Sequence, residues 1–317
     1  MYLEEPSFSD KRVLVIGAST LDIVGRLSVM PETGTSTPAK IRPTFGGVAR
    51  NVAENLARLG QKVSLITVVG ETNFGDQLLQ ETASAGVDVS ASIRTEEFRT
   101  STYLAVVTPS GQLQFGLDDM RALSTLKPEH IKERANLFKD ASMVFVDMNL
   151  SPATLRSIFS QARMAKIPVC ADATSKKLAP RLIPFLSRLK LVTANSDETS
   201  ILCEGNCQVT NRQTAIQAAR YLISKGVEYA LIPMAEFGVC YAASEISGHI
   251  PAIRTSILDP TGAGDALTAT LIFALINEIP LDDAVQLGIA AASLTLRYPG
   301  AVFPKLSLEK LYDHLLF

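Results

Sequence analysis

The sequence has 317 residues, 47% hydrophobic and 20% charged, with a formal charge of −2; this is ordinary globular usage for about two domains or one large one. Basic residues are scattered, in no run longer than Lys176-Lys177, which excludes the concentrated basic surface of a nucleic-acid binder and favours a small-molecule partner. No apolar stretch approaches the ~20 residues of a bilayer span, and Met1–Asp10 is acidic without the apolar segment of a secretory signal, so no membrane partner is expected and the expected location is cytoplasmic.

In chain order, Arg12–Ala18 reads as a buried strand, Asp22–Phe45 as extended Pro- and Thr-rich pieces, and Val48–Leu59 as a helix. In that helix Val48, Val52, Ala53, Leu56 and Leu59 fall on one stripe. Lys62–Val69 follows as a strand, Asp76–Ser84 as a helix, and Thr100–Gly116 as a hairpin turning at Pro109-Ser110-Gly111. Further strands are Ser142–Asp147, Pro168–Asp172, Leu189–Thr193 and Tyr229–Pro233, interleaved with helices at Pro152–Ala165, Ser196–Cys203 and Arg212–Ser224. Short apolar runs alternating with helical patterns predict an α/β fold with a mostly parallel sheet. The two helix-free stretches, about 22–45 and 91–120, read as a small β-sheet lid that would keep water from a reacting phosphate; an ordinary surface meander is the alternative.

Cys170, Cys203, Cys207 and Cys240 form no metal-ligand set, and His130, His249 and His314 are widely separated. Free thiols in a reducing compartment are expected, and the chemistry must come from other groups. Asp259-Pro-Thr-Gly-Ala-Gly-Asp265 opens an apolar helical run. Gly262 and Gly264 permit a turn whose exposed amides, at a helix start, suit an anion such as a transferred phosphoryl group. Asp265, in the first helical turn, can accept a proton from an attacking hydroxyl, or it can simply cap the helix. No Gly-Lys-Ser/Thr follows, which disfavours a P-loop. Gly46-Gly47 lets backbone approach a ligand closely. Asn51 and Asp22 suit vicinal hydroxyls, though a polar helix residue and a solvated turn aspartate are the plainer readings. Asn195-Ser-Asp-Glu198 suits a water-shelled Mg²⁺ beside phosphates, or an N-capped helix.

Read in order, Gly46 through Gly60, Asn195-x-x-Glu198 and Asp259 through Asp265 resemble the signatures of the ribokinase-like (PfkB) family of carbohydrate and nucleoside kinases, over nearly the whole chain. The resemblance implies a three-layer α/β/α sandwich, with residues 1–317 as one domain carrying a β lid. It implies ATP as co-substrate and Mg²⁺, with Asp265 as catalytic base and the amides of Gly262, Ala263, Gly264 and Asp265 as an anion hole. Asp22, Gly46, Gly47 and Asn51 would hold a ribose, and Asn149 is a candidate base contact. Asn195 and Glu198 would organise Mg²⁺ through water; Gly238 and Thr261 would border the nucleotide; Asp259 could join a K⁺ site. Thr20, Ala235 and Thr270 depart from the family pattern, Ala235 standing for a glycine beside the adenine.

Asp119-Met120, Asp147-Met-Asn149-Leu-Ser151 and Asp172-Ala-Thr-Ser175 resemble pseudouridine kinases within the family. The implied reaction is transfer of the ATP γ-phosphate to the 5′-hydroxyl of pseudouridine. Kinases of another nucleoside or sugar (uridine, adenosine, ribose, a phosphorylated ketose) and a binding-only regulator are the alternatives. Gly17-Ala18-Ser19-Thr20 lacks the dinucleotide fingerprint, which sets aside a nicotinamide enzyme. A lid sheet could pair with a second copy, giving a homodimer.

Overall fold

The side chains of Val13 to Ile16 are all fully buried, the pattern of a strand covered on both faces. In the computed structural model, which describes residues 11–110 and 112–316, this strand, Arg12–Ile16, lies between parallel neighbours Ala141–Asp147 and Lys62–Ile66. The acidic Met1–Asp10 segment and Gly111 of the hairpin turn lie outside the described residues. Among the described residues the main sheet has nine strands. From one edge it runs Ser247–Ile250, Val239–Ala242, Tyr229–Pro233, Leu189–Thr193, Val169–Asp172, Ala141–Asp147, Arg12–Ile16, Lys62–Ile66 and Val87–Asp88. Pairing is parallel except at the Val239–Ala242 and Ser247–Ile250 edge.

Alternate residues feed opposite cores. Leu14 and Ile16 pack with Leu155, Ile158 and Leu222 from the helices Pro152–Ala165 and Arg212–Ser224. Val13 and Val15 pack with Val52, Leu56, Leu271 and Val285 from Val48–Arg58, Ala263–Ile276 and Leu281–Leu296. The result is the three-layer α/β/α sandwich. Helix Ala263–Ile276 is apolar nearly all round because it is wedged between Val48–Arg58 and Leu281–Leu296. At Thr270, one of the family departures, the buried hydroxyl donates to Ala266 O at 2.8 Å within the helix. Among the described residues no helix is long and apolar enough to cross a membrane.

The stretch Lys62–Val69 does not run as one strand: it divides at Thr67 into Lys62–Ile66 and Val68–Gly70. Gly70 passes against the backbone of Thr100, where a Cβ would lie 2.5 Å from its nitrogen, and Val68–Gly70 pairs instead with Ile93–Thr95. Residues 93–95 therefore belong to this ladder, apart from the smaller sheet, whose order is Ala39–Gly46, Thr20–Leu27, Thr102–Val107 and Leu113–Asp119. Its two faces differ. Asp22, Arg42 and Tyr103 share one; Ile23, Ile41, Leu104, Phe115 and Leu117 share the other, as strand alternation and register require. The first face meets the main domain through an Arg42 Nη2–Asp259 Oδ2 ion pair at 2.5 Å.

Candidate active site

Five neighbouring parallel strands end on the same edge of the main sheet, so the residues that follow them form a row. In spatial order these are Ala235, Asn195, Asp172, Asp147 and the Gly17–Ser19 turn leading to Asp22. Carboxyl ends of parallel strands are where open α/β sheets hold ligands. His130, His249 and His314 take no place in this row: His249 Nε2 lies 2.6 Å from Phe237 O, His314 Nε2 lies 2.9 Å from Ser293 Oγ, and His130 Nδ1 accepts from Lys127 N at 3.1 Å. The four cysteines are all free, and Cys170, Cys203 and Cys240 are buried.

Asp147 fastens the row. Its Oδ2 accepts from Ala18 N at 2.7 Å and Ala49 N at 3.2 Å, and its Oδ1 accepts from Asn149 N at 2.9 Å. One fully buried carboxylate thus ties together the first strand's exit, the start of helix Val48–Arg58 and its own following loop. Gly17 is glycine because a Cβ there would stand 2.2 Å from Asp147 Oδ2. The sequence signal was available in the glycine directly after the first strand, but its partner lies 130 residues on, between Gly17 and Asp147. Asn149, the candidate base contact, is half-buried, and Arg181 Nη1 holds the carbonyls of Met148 and Leu150 beside it at 3.0 and 2.9 Å.

Asp22, Asn51 and Asp265 come together. Asn51 Nδ2 donates to Asp265 Oδ2 at 2.7 Å. Arg50 Nη1 donates to Asn51 Oδ1 at 3.3 Å, which turns the amide so that its nitrogen faces Asp265. Asp22 receives the Thr20 hydroxyl at 2.6 Å, so this departure from the family pattern orients the carboxylate. Burial pushes the Asp22 carboxyl up to about 6, against the Thr20 hydrogen bond and the Arg50 charge. Burial likewise pushes Asp265 up to about 7, opposed by Asn51 and assisted by the Asp147 and Asp22 carboxylates. The glycines beside them serve protein neighbours: the space of a Cβ at Gly46 is filled by Asp22 Oδ2 at 1.9 Å, and at Gly47 by Ala18 O at 2.5 Å.

Gly262 is the N-cap of helix Ala263–Ile276, in left-handed backbone at φ +76°, with no side chain capping the helix. The amides of Ala263, Gly264 and Asp265 therefore open the helix as donors, with the positive end of its dipole behind them. Asp265 sits at the third helical position, and its hydrogen bond goes to Asn51 on another helix. Thr261 is exposed, and its N–H is taken by Asp259 Oδ1 at 3.0 Å. With Arg42 on its other oxygen, Asp259 bridges the glycine turn to the smaller sheet.

Further along the row, Asn195 and Glu198 form a complete capping box. Asn195 Oδ1 accepts from the amides of Asp197 and Glu198 at 3.0 Å, and Glu198 Oε2 accepts from Asn195 N at 2.9 Å. Loss of solvent pushes the Asp172 carboxyl well above its ordinary range, assisted by the Glu198 and Asp265 carboxylates. Among the described residues no group of His, Cys, Asp and Glu holds a metal by itself. Mg²⁺ usually keeps several waters and takes only one or two carboxylates beside phosphates. Glu198, with crowded carboxylates nearby that a cation would relieve, fits that arrangement.

Beyond Asn195 a cleft of about 580 Å³ is lined by Asn195, Arg212, Met234, Ala235, Phe237 and His249. Gly238, next in the chain after Phe237, stands where a Cβ would meet Ile250 O at 2.1 Å. Ala235 adopts φ +49°, the left-handed region, in an exposed turn. Left-handed backbone costs an L-residue roughly 1–2 kcal/mol, partly offset by glycine's greater unfolded-state entropy. Ala235→Gly is accordingly expected to raise the urea midpoint by the equivalent of about 0.5–1 kcal/mol.

The profile of the family described as pfkB family carbohydrate kinase matches residues 10–307 of the chain. A pseudouridine kinase of Escherichia coli is 28% identical over 297 residues, covering 93% of this chain and 94% of that protein. Among solved structures, an Arabidopsis thaliana ribokinase complexed with ribose and ATP superposes with a TM-score of 0.86 at 20% identity, covering 98% of this chain and all of the other. An E. coli protein described as a putative ribokinase II in complex with ATP and Mg²⁺ gives 0.83 at 18% identity, over 96% and 99% of the two chains.

Proposed function

The chain belongs to the pfkB family of carbohydrate kinases, phosphotransferases with a hydroxyl acceptor, and from that premise we propose that it transfers the γ-phosphoryl group of ATP to the 5′-hydroxyl of pseudouridine. The observation that carries the phosphotransfer reading is the Asp265 carboxylate, raised to about 7 and fixed by Asn51 beside an uncapped helix start. Asp265 takes the hydroxyl proton while that oxygen bonds to phosphorus and the bond to the ADP leaving group breaks. The amides from Ala263 to Asp265 face the phosphoryl oxygens, where charge gathers in the transition state. Asp22 and Asn51 hold the ribose hydroxyls, and Asn149 stands near the base. Glu198 and Asn195 would hold Mg²⁺ through water, and the ion would supply neutralisation of phosphate charge. The cleft at Ala235, with Gly238 nearby in the chain, takes the adenine side, and the smaller sheet, whose polar face carries Asp22, acts as the lid.

The pseudouridine assignment rests on the E. coli relative and on the segments around Asp147 and Asp172. The likeness to a ribokinase favours ribose as the second acceptor to test. ADP release with Mg²⁺-ATP should be measured over pseudouridine, uridine, cytidine, adenosine, inosine, ribose and fructose 6-phosphate. Preference for pseudouridine by kcat/KM is expected; preference for another acceptor discards the base assignment and keeps the Asp265 chemistry.

Asn51→Ala is expected to raise the nucleoside KM ~10–100-fold, the loss of a hydrogen bond to a buried charged network. Because Asn51 also holds the Asp265 carboxyl down, the acid limb of kcat/KM should move to higher pH. A variant with an unmoved limb would separate Asn51 from the base.

The outer face of the lid exposes Ile41, Phe115 and Leu117 by 71, 49 and 60%, an apolar surface that supports a homodimer formed lid to lid. Phe115→Asp/Leu117→Asp is expected to sediment as a monomer where the wild type sediments as a dimer.

A further inference from the structure

On the face of the domain formed by helix Pro152–Ala165 and the 3₁₀ segments Ala179–Arg181 and Ile183–Arg188, a groove of about 680 Å³ is lined by four arginines and no carboxylate. Arg156, Ser160 and Arg163 recur at helical spacing along one wall, and Arg181 and Arg188 stand on the other. The walls are fixed to each other by Phe159 and Phe185, whose rings stack at 4.1 Å. Arg156, Arg163 and Arg188 are exposed, and among the described residues no carboxylate pairs with them. This is a concentration of positive charge without internal compensation in a chain of net charge −2. Like charges placed together repel, so the arrangement is relieved by an anion of matching charge. Guanidinium groups pair with phosphate oxygens through two parallel N–H bonds. The groove therefore has the charge, the fork donors and the volume for a chain of linked phosphates.

We propose that this groove, separate from the row of strand ends, binds a small polyphosphate anion between Arg156, Arg163, Arg181 and Arg188. Arg181 joins it to the loop that carries Asn149, since its Nη1 already holds the carbonyls of Met148 and Leu150. Four cationic groups in a space of this size match a di- or triphosphate moiety in charge, whereas a single phosphate would leave most of them unpaired.

Inorganic tripolyphosphate is the probe. Isothermal titration at low salt is expected to give the wild type one more bound tripolyphosphate per chain than Arg156→Ser/Arg163→Ser/Arg188→Ser, or at least ~10-fold tighter binding. Turnover of the triple variant without tripolyphosphate should equal that of the wild type, because these three arginines are exposed and stand outside the residues assigned to catalysis and substrate binding. Arg163→Glu alone should weaken the same binding event, which keeps the test available should the triple variant misfold. Equal stoichiometry and affinity in wild type and variants, or no tripolyphosphate binding by the wild type, would overturn the proposal. So would binding of inorganic phosphate as tight as that of tripolyphosphate.

Discussion

Asp265→Asn is expected to lower kcat ~10²–10⁴-fold while leaving the fold and most of the nucleoside affinity in place, the loss typical of removing a positioned general base. Asparagine keeps the shape of the side chain but cannot take a proton. The wild type should also carry a pH signature of this group. A carboxyl raised to about 7 is protonated below that pH and becomes a base only above it. On the Asp265 reading, kcat/KM for the nucleoside should fall as pH drops through about 7. It should fall more steeply below about 6, where the Asp22 carboxyl also takes up a proton. Stability should move the other way. Between the ordinary carboxyl range and about 7 the folded chain holds the Asp265 proton more tightly than the unfolded chain does, so stability falls as pH rises through that window. The asparagine variant escapes this cost. Its melting temperature should match the wild type near pH 4 and exceed it at pH 8, by the equivalent of about 1–3 kcal/mol. Near-wild-type turnover in the variant would remove Asp265 from the base role; loss of both turnover and stability would point to a structural one.

The α/β alternation and six of the main-sheet strands were legible in the sequence because a strand buried on both faces reads as a short apolar run, as Val13–Ile16 does; Val87–Asp88, Val239–Ala242 and Ser247–Ile250, at the edges of the sheet, were not. The break within Lys62–Val69 was not, because Thr67 and Val68 keep the apolar pattern while Gly70 turns against a partner thirty residues away at Thr100. The glycine turn and its aspartate were legible as local chemistry. What surrounds them was not. Asn51 reaches Asp265 across 214 positions, and Arg42 reaches Asp259 across 217. Each contact joins segments with no common period or motif, so only the fold brings them together. Asn195 and Glu198 show the limit in the opposite direction. Their spacing read equally as a capping box and as a metal-associated pair, and the capping hydrogen bonds are all formed while Glu198 keeps a second oxygen. A helix start can be capped and still present a carboxylate toward a hydrated cation.

The two glycines of the turn should respond oppositely to one added methyl group. At Gly262 a Cβ would lie 1.9 Å from Ala301 O, and the backbone stands at φ +76°; the overlap is with main chain, which cannot swing aside as a side-chain end can. Gly262→Ala is therefore expected to destabilise the protein by about 2–4 kcal/mol and to displace the helix-start amides. A lost oxyanion-type donor costs about 10²–10³ in kcat. At Gly264 the same Cβ meets nothing within 4 Å of the protein, and the backbone is ordinary helix. Alanine there should leave the melting temperature unchanged or slightly raised, since it lowers the entropy of the unfolded chain. If the open space at Gly264 is where the transferred phosphoryl group approaches the amides, Gly264→Ala should still lower kcat/KM for ATP, by at least ~10-fold, in a protein of full stability. A Gly264→Ala enzyme with unchanged kinetics would move the phosphoryl group away from this turn. A loss of stability at Gly264 equal to that at Gly262 would mean that both glycines answer to the fold alone.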